Sequence, residues 1–111
     1  MFYTEFLSML YNVTVSIDPS IETDWVHWMQ NVHIPAVLQT NCFTKCVLSK
    51  VHGNEAGECT FSVLYWALSK QDFEQYVSTH APALQMEHSA RYEGKFVAFR
   101  TTMDLISELN P

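Results

Sequence analysis

The sequence predicts a single α+β domain of the ferredoxin-like kind, β-α-β-β-α-β, with a four-stranded antiparallel sheet carrying two helices on one face. Three observations lead there: a cleanly alternating strand near the start, two amphipathic helical stretches separated by two strands, and a short motif that recurs at the same place in each half.

Tyr11 to Ile17 opens the pattern. Tyr11, Val13, Val15 and Ile17 share one face while Asn12, Thr14 and Ser16 share the other, the period of two that a strand requires. Asp18-Pro19-Ser20 then turns the chain, with Asp18 or Ser20 available as an N-cap and acidic Glu22 and Asp24 suited to a helix N-terminus. Ile21, Trp25, Trp28, Met29 and Val32 follow at helical spacing and draw an apolar stripe. Pro35 is expected to break or kink this helix near His33-Ile34, leaving a further turn through Leu38.

Phe43 to His52 reads as the second strand, and His52-Gly53-Asn54-Glu55-Ala56-Gly57 as a hairpin loop. Cys59 to Leu68 is the third strand. Ser69 with Asp72 three positions on gives a capping-box-like start to the second helix. Its buried side is expected to be Phe73, Tyr76, Val77, Ala81 and Leu84, with the helix continuing past Pro82 to Tyr92 and stopping at Gly94. Phe96 to Thr102 is the fourth strand.

The halves echo one another. His33-Ile34-Pro35-Ala36 and His80-Ala81-Pro82-Ala83 lie 47 residues apart, late in each helix, so the order is read as a pseudo-twofold repeat. The domain is assigned to residues 10–103, residues 1–9 to an N-terminal extension and 104–111 to a tail. Met9 is expected to be the natural start.

Composition narrows the classes of function. With 111 residues the chain has room for one core. Its 48% hydrophobic and 14% aromatic residues are ample to fill it, and only 16% are charged, fewer than the usual ~25%. A net charge of −6 argues against a nucleic-acid or anionic-membrane partner. Residues 1–10 make a poor signal peptide, and no apolar run is long enough to span a bilayer. With three cysteines, an odd count, the expectation is a cytoplasmic protein with free thiols.

Both faces of the predicted sheet are apolar. The third strand offers Phe61, Val63 and Tyr65 on one side and Leu64, Trp66 and Leu68 on the other; the fourth sets Phe96 and Ala98 against Val97 and Phe99. Two helices cover one face. A second copy of the sheet is the economical cover for the other, so a homodimer is expected.

Several segments are familiar in combination: YNVTVSID (Tyr11–Asp18), WVHWM (Trp25–Met29), HIPAVL (His33–Leu38), THAPAL (Thr79–Leu84) and KFVAFRT (Lys95–Thr101). From about Leu10 to Thr102 the chain resembles a bacterial family of unknown function within the dimeric α+β barrel superfamily. The H-x-P element is also similar to that of EthD-type members. The resemblance implies a dimeric barrel and leaves the activity open, because the superfamily holds cofactor-free monooxygenases, haem-degrading enzymes, isomerases and proteins without known activity.

No strong catalytic signature is present: no phosphate-cradling glycine loop, no G-x-S-x-G, no dinucleotide fingerprint. Cys42 and Cys46 lack the matching Cys/His pair that zinc needs and, on one strand, would share a face as ordinary thiols, so no metal is expected. No cofactor is expected either; haem enters only through the resemblance, and no residue pattern supports it. His33 and His80 are the candidate catalytic residues. Each either bonds a carbonyl freed by its proline or lines a pocket where a group titrating near neutrality acts as base or ligand. His88, eight residues after His80 and three before Arg91, either joins them in a polar rim over the sheet or lies on a solvated helix face, the reading taken here. Arg100, inside an apolar strand, either anchors a carboxylate within the dimer, such as Glu87 or Asp104, or holds an anionic ligand. The expected ligand-binding set is Tyr11, Trp28, His33, Tyr65, His80 and Arg100, between sheet and helices. Three readings remain: a small-molecule-binding dimer, a cofactor-independent monooxygenase or isomerase, and a non-catalytic structural or interaction module without a cavity.

Overall fold

The computed structural model describes residues 8–53 and 59–111. Four strands, β1 (Met9–Ile17), β2 (Lys45–Lys50), β3 (Cys59–Ala67) and β4 (Phe96–Asp104), form one antiparallel sheet in the order β2-β3-β1-β4. The most evenly alternating segment, β1, is central and pairs along its whole length with β3 and β4. Directly paired residues share a face, so the register gathers Tyr11, Val13, Val15 and Ile17 with Tyr65, Val63, Phe61 and Cys59 on the helix side. Residues 1–7 of the expected extension lie outside the described residues; Met9 opens β1 opposite Ala67 and Asp104. Gly53, at φ +82°, begins the expected hairpin loop, whose residues 54–58 also lie outside them.

Between β1 and β2 the chain makes a short turn of 3-10 helix (Pro19–Ile21), capped by Asp18, whose Oδ1 accepts from the Ser20 N–H at 2.9 Å. Then come α1 (Glu22–Trp28), a π-helical turn (Met29–His33) and α2 (Ile34–Leu38) in direct succession. The second helical arm repeats the device: α3 (Lys70–Gln75), a π turn (Tyr76–His80) and α4 (Ala81–Arg91). Ser69 caps α3, its Oγ accepting from the Asp72 N–H at 3.1 Å.

The expected break at Pro35 does not occur. A proline inside an α-helix removes one bond and collides with the carbonyl four residues back. Here the backbone widens before the ring arrives: the Ile34 N–H reaches back five residues to the Met29 carbonyl, and the Ala81 N–H to Tyr76. The helix stays continuous, and the repeated H-x-P-A motif marks the end of each π turn.

The extra residue in each turn also explains two errors of the apolar stripe. Val32 and Val77 fall inside the π turns and are 45% and 47% exposed, whereas Met29 and Tyr76 are buried. The core joins Trp25, Val37, Val63 and Ala67, all essentially without exposed surface, to Phe61, Tyr65 and Tyr76. Cys42 lies ahead of β2 rather than on it, its thiol directed at the Thr40 carbonyl, so it shares no strand face with Cys46. All three cysteines are free.

Among the described residues, nothing covers the opposite sheet face. Its middle is a polar band that is already paired: Asn12 Nδ2 donates to Thr14 Oγ1 at 2.9 Å, Ser62 Oγ to Asn12 Oδ1 at 2.5 Å, and the Ser16 and Thr60 hydroxyls meet at 2.8 Å. Around it stand Leu64, Trp66, Val47, Val97, Phe99 and Met103, with Phe99 67% and Val97 61% exposed.

Candidate functional site

Between the helix-side face of the sheet and the helices lies a cavity of about 50 Å³, which becomes about 500 Å³ only when the open space at its mouth is counted. The strands supply an apolar surface of Val13, Val15, Val63, Phe96 and Ala98, and the first π turn adds Met29. Tyr11, Tyr65, Tyr76, Gln85 and Ser89 bring polar atoms to the lining, joined by His33, His88 and Arg100.

His33 sits where it does because the π turn ends there. The ring stacks on Trp28 with centroids 5.2 Å apart and planes 28° from parallel, and stands 5.8 Å from the His88 ring. Its Nδ1 is buried and has no hydrogen-bond partner among the described residues. The structural expectation that this imidazole satisfies a carbonyl freed by Pro35 therefore fails. Widening of the turn reroutes the backbone bonds without help from the side chain.

His88 was the residue that the sequence pattern misjudged. It is 8% exposed rather than on a solvated helix face, because Trp25 needs it. The Trp25 Nε1–H donates to His88 Nε2 at 2.9 Å. An indole nitrogen can only donate, so Nε2 accepts and the His88 proton resides on Nδ1. Phe96 meets the ring edge-on at 4.4 Å. Nearby, the Tyr92 hydroxyl donates to Asp24 Oδ2 at 2.8 Å and Arg91 Nε donates to that hydroxyl at 3.1 Å, tying α4 to α1.

Burial sets the protonation states. It pushes the His33 imidazole down to about 4. His88 is likewise pushed down to about 4, first by burial and then by the neighbouring His33 and Arg100 charges. Burial raises the phenols of Tyr65 and Tyr76, and that of Tyr11 against the opposing Arg100 charge and polar contacts from Arg100 and Gln85. The Cys46 thiol, beside Tyr65, rises to about 11. Among the described residues of the lining, Arg100 is the one that carries a formal charge at neutral pH, and none is a carboxylate. Arg100 projects from the helix-side face of edge strand β4 opposite Val13, and is exposed. Within the subunit, neither Glu87 nor Asp104 forms an ion pair with it among the described residues.

Of the six residues the sequence singles out, Tyr11, His33, Tyr65 and Arg100 line the cavity. Trp28 backs it through His33. His80 stands outside the lining, although its π turn matches that of His33; among the described residues its side chain makes no hydrogen bond. Missed were His88, Tyr76, Gln85 and Ser89. The signal for His88 was Trp25: an indole in the middle of a buried stripe needs an acceptor for its N–H.

Among the described residues no cluster of three or more His, Cys, Asp or Glu is placed to hold a metal ion.

Fold and site together define a ferredoxin-like α+β protein with one cavity-bearing face and one bare, largely apolar face. The chain belongs to the family described as domain of unknown function DUF4286, whose pattern matches residues 8–106. No curated protein matches the sequence. Solved structures resemble it in fold. A dimeric ferredoxin-like protein from an uncultured marine organism is 11% identical, with 93% of this chain and 99% of that one covered and a TM-score of 0.69. An EthD family protein from Bacillus halodurans is 11% identical, covering 84% and 96%, with a TM-score of 0.63. A Streptomyces coelicolor monooxygenase in complex with nanaomycin D is 10% identical, covering 95% and 93%, with a TM-score of 0.64. None of the described helices is long and apolar enough to cross a membrane.

Proposed function

We propose that this protein is a homodimer that binds a small molecule in the cavity of each subunit. The observation that carries the binding reading is the buried, unpartnered Nδ1 of His33 in the lining. Leaving such an atom unpaired costs on the order of 1–3 kcal/mol, and a folded chain tolerates that where a ligand or bound water completes the site. The cavity has the mixture of apolar walls and few convergent polar groups that small ligands use. A structural module without a cavity, and with both histidines satisfied by the backbone, fits these features poorly.

The bare sheet face supports the dimer. Each side chain of its polar band already has a partner within the band, which lowers the cost of covering it, while the apolar side chains around it gain from leaving water. A second copy presents the same surface, as an isologous interface requires.

The second reading, a cofactor-independent monooxygenase or isomerase, draws on the same nitrogen. His33 is neutral at pH 7 and able to take a proton, but an imidazole with its pKa held near 4 is a weak base. A proton acceptor of that strength gives the binding reading precedence.

Native mass spectrometry on protein freshly purified at low concentration tests the proposal. A dimer carrying extra mass is expected, and the adduct identifies the ligand. A bare dimer would leave the assembly standing and shift weight to the enzyme with weak substrate affinity. A monomer would overturn the homodimer.

A further inference from the structure

The charges around the cavity are one-sided in a way the rest of the molecule is not. The protein carries a net charge of −6, with twelve acidic residues against six basic ones. Yet among the described residues the lining contains Arg100 and no Asp or Glu. An arginine in an acidic protein ordinarily finds a carboxylate, as Arg91 does with Asp24 at 3.5 Å. Arg100 has none among the described residues, and with Ser89 it is one of the exposed residues of the lining. It therefore marks a mouth at which an incoming anion would be met by a planar fork of donors.

Deeper in, the polar groups are neutral. The Trp25 bond fixes His88 as the Nδ1–H tautomer, a donor that no protein acceptor takes up among the described residues. His33 has its unpaired Nδ1, and its ring lies flat against Trp28. Between mouth and histidines the walls are Val13, Val63 and Phe96 with the tyrosine rings. A second negative charge there would meet buried phenols and neutral imidazoles, with no cation to balance it, and desolvating it would be costly.

We infer that the ligand is a planar monocarboxylic acid, its carboxylate held by Arg100 at the mouth and its apolar ring lying between the sheet and the two histidines. This rests on the binding reading above and names its ligand class. A hydroxyl or carbonyl at the inner end of the ring would meet the His88 Nδ1–H and the free nitrogen of His33.

Calorimetric titration of the full chain with benzoate, 4-hydroxybenzoate and indole-3-acetate, each beside its methyl ester, tests the class. The esters keep the ring and lose the charge. At least one acid is expected to bind roughly tenfold or more tightly than its ester, the size of effect one charge-assisted contact supplies. Arg100→Gln should close that gap, and Arg100→Lys should restore part of it. Arg100 is exposed, so neither change threatens the fold. Esters that bind as tightly as their acids, or an R100Q protein that still prefers the acids, would overturn the carboxylate assignment while leaving the binding cavity intact. Acids and esters that all fail to bind at millimolar concentration would overturn both.

Discussion

Trp25 and His88 show how one bond decides a residue's place. Nothing in the polar surroundings of Glu87-His88-Ser89 marks a buried position; the helix carries His88 inward because the fully buried Trp25 indole offers its only proton there. The consequence is acid sensitivity. Above about pH 6.5 the imidazoles of His33 and His88 are neutral in both the folded and the unfolded chain, and protons do not favour either state. As pH falls from about 6.5 toward about 4, the unfolded chain takes up protons that the folded cavity refuses. Stability is therefore complete at neutral pH, declines through that window, and by about pH 4 has lost on the order of 2–3 kcal/mol for each imidazole. Urea denaturation at pH 7.5, 5.5 and 4.5 measures this. His33→Phe, which keeps a ring against Trp28 and removes a titrating group, should flatten the slope. A midpoint that stays constant in the native protein, or a slope unaffected by H33F, would refute the argument.

At the scale of elements, most of the fold was legible because its signals are local. Alternation marked β1, β3 and β4, and Ser69 with Asp72 marked the start of α3. The site was legible only in part. Tyr11, Tyr65 and Arg100 reach the cavity by strand register, which a period of two predicts. Residues of the π turns were not predictable in the same way. A proline announces a missing donor without saying how the helix will absorb it, so Val32 and Val77 were assigned inward when the wider turns carry them outward. The pseudo-twofold also repeats a backbone device without repeating its surroundings: His33 meets Trp28 and His88, whereas His80 meets no comparable wall.

Two positions test the local signals directly. Ser69→Ala removes the oxygen that caps α3 and should cost about 1 kcal/mol. Gly94, after α4, has φ +74° and open space where a Cβ would stand. Gly94→Ala should therefore cost about 1–2 kcal/mol from backbone conformation alone. Chemical denaturation of each variant gives the values. A neutral Gly94→Ala would show that this turn adopts another conformation in solution.

At the scale of the whole molecule, the two sheet faces do different work. The helix side encloses the cavity; the other side carries Val97 and Phe99 on β4 and Trp66 on β3, with the Lys45 ammonium 4.3 Å above the Trp66 ring. Exposed apolar side chains grouped in this way are unusual on a monomer. In the proposed dimer Phe99 faces the partner's sheet, so a charge at this position must be buried twice, once from each copy, beside apolar neighbours. Phe99→Asp is accordingly expected to dissociate the dimer at micromolar concentration while leaving the fold intact, because this side chain points away from the core. Sedimentation velocity reads the assembly and far-ultraviolet circular dichroism reads the fold. A Phe99→Asp protein that sediments as the native dimer would mean that the copies meet elsewhere. One that is monomeric and still binds the same ligand would separate the two faces, showing that each subunit forms its cavity without its partner.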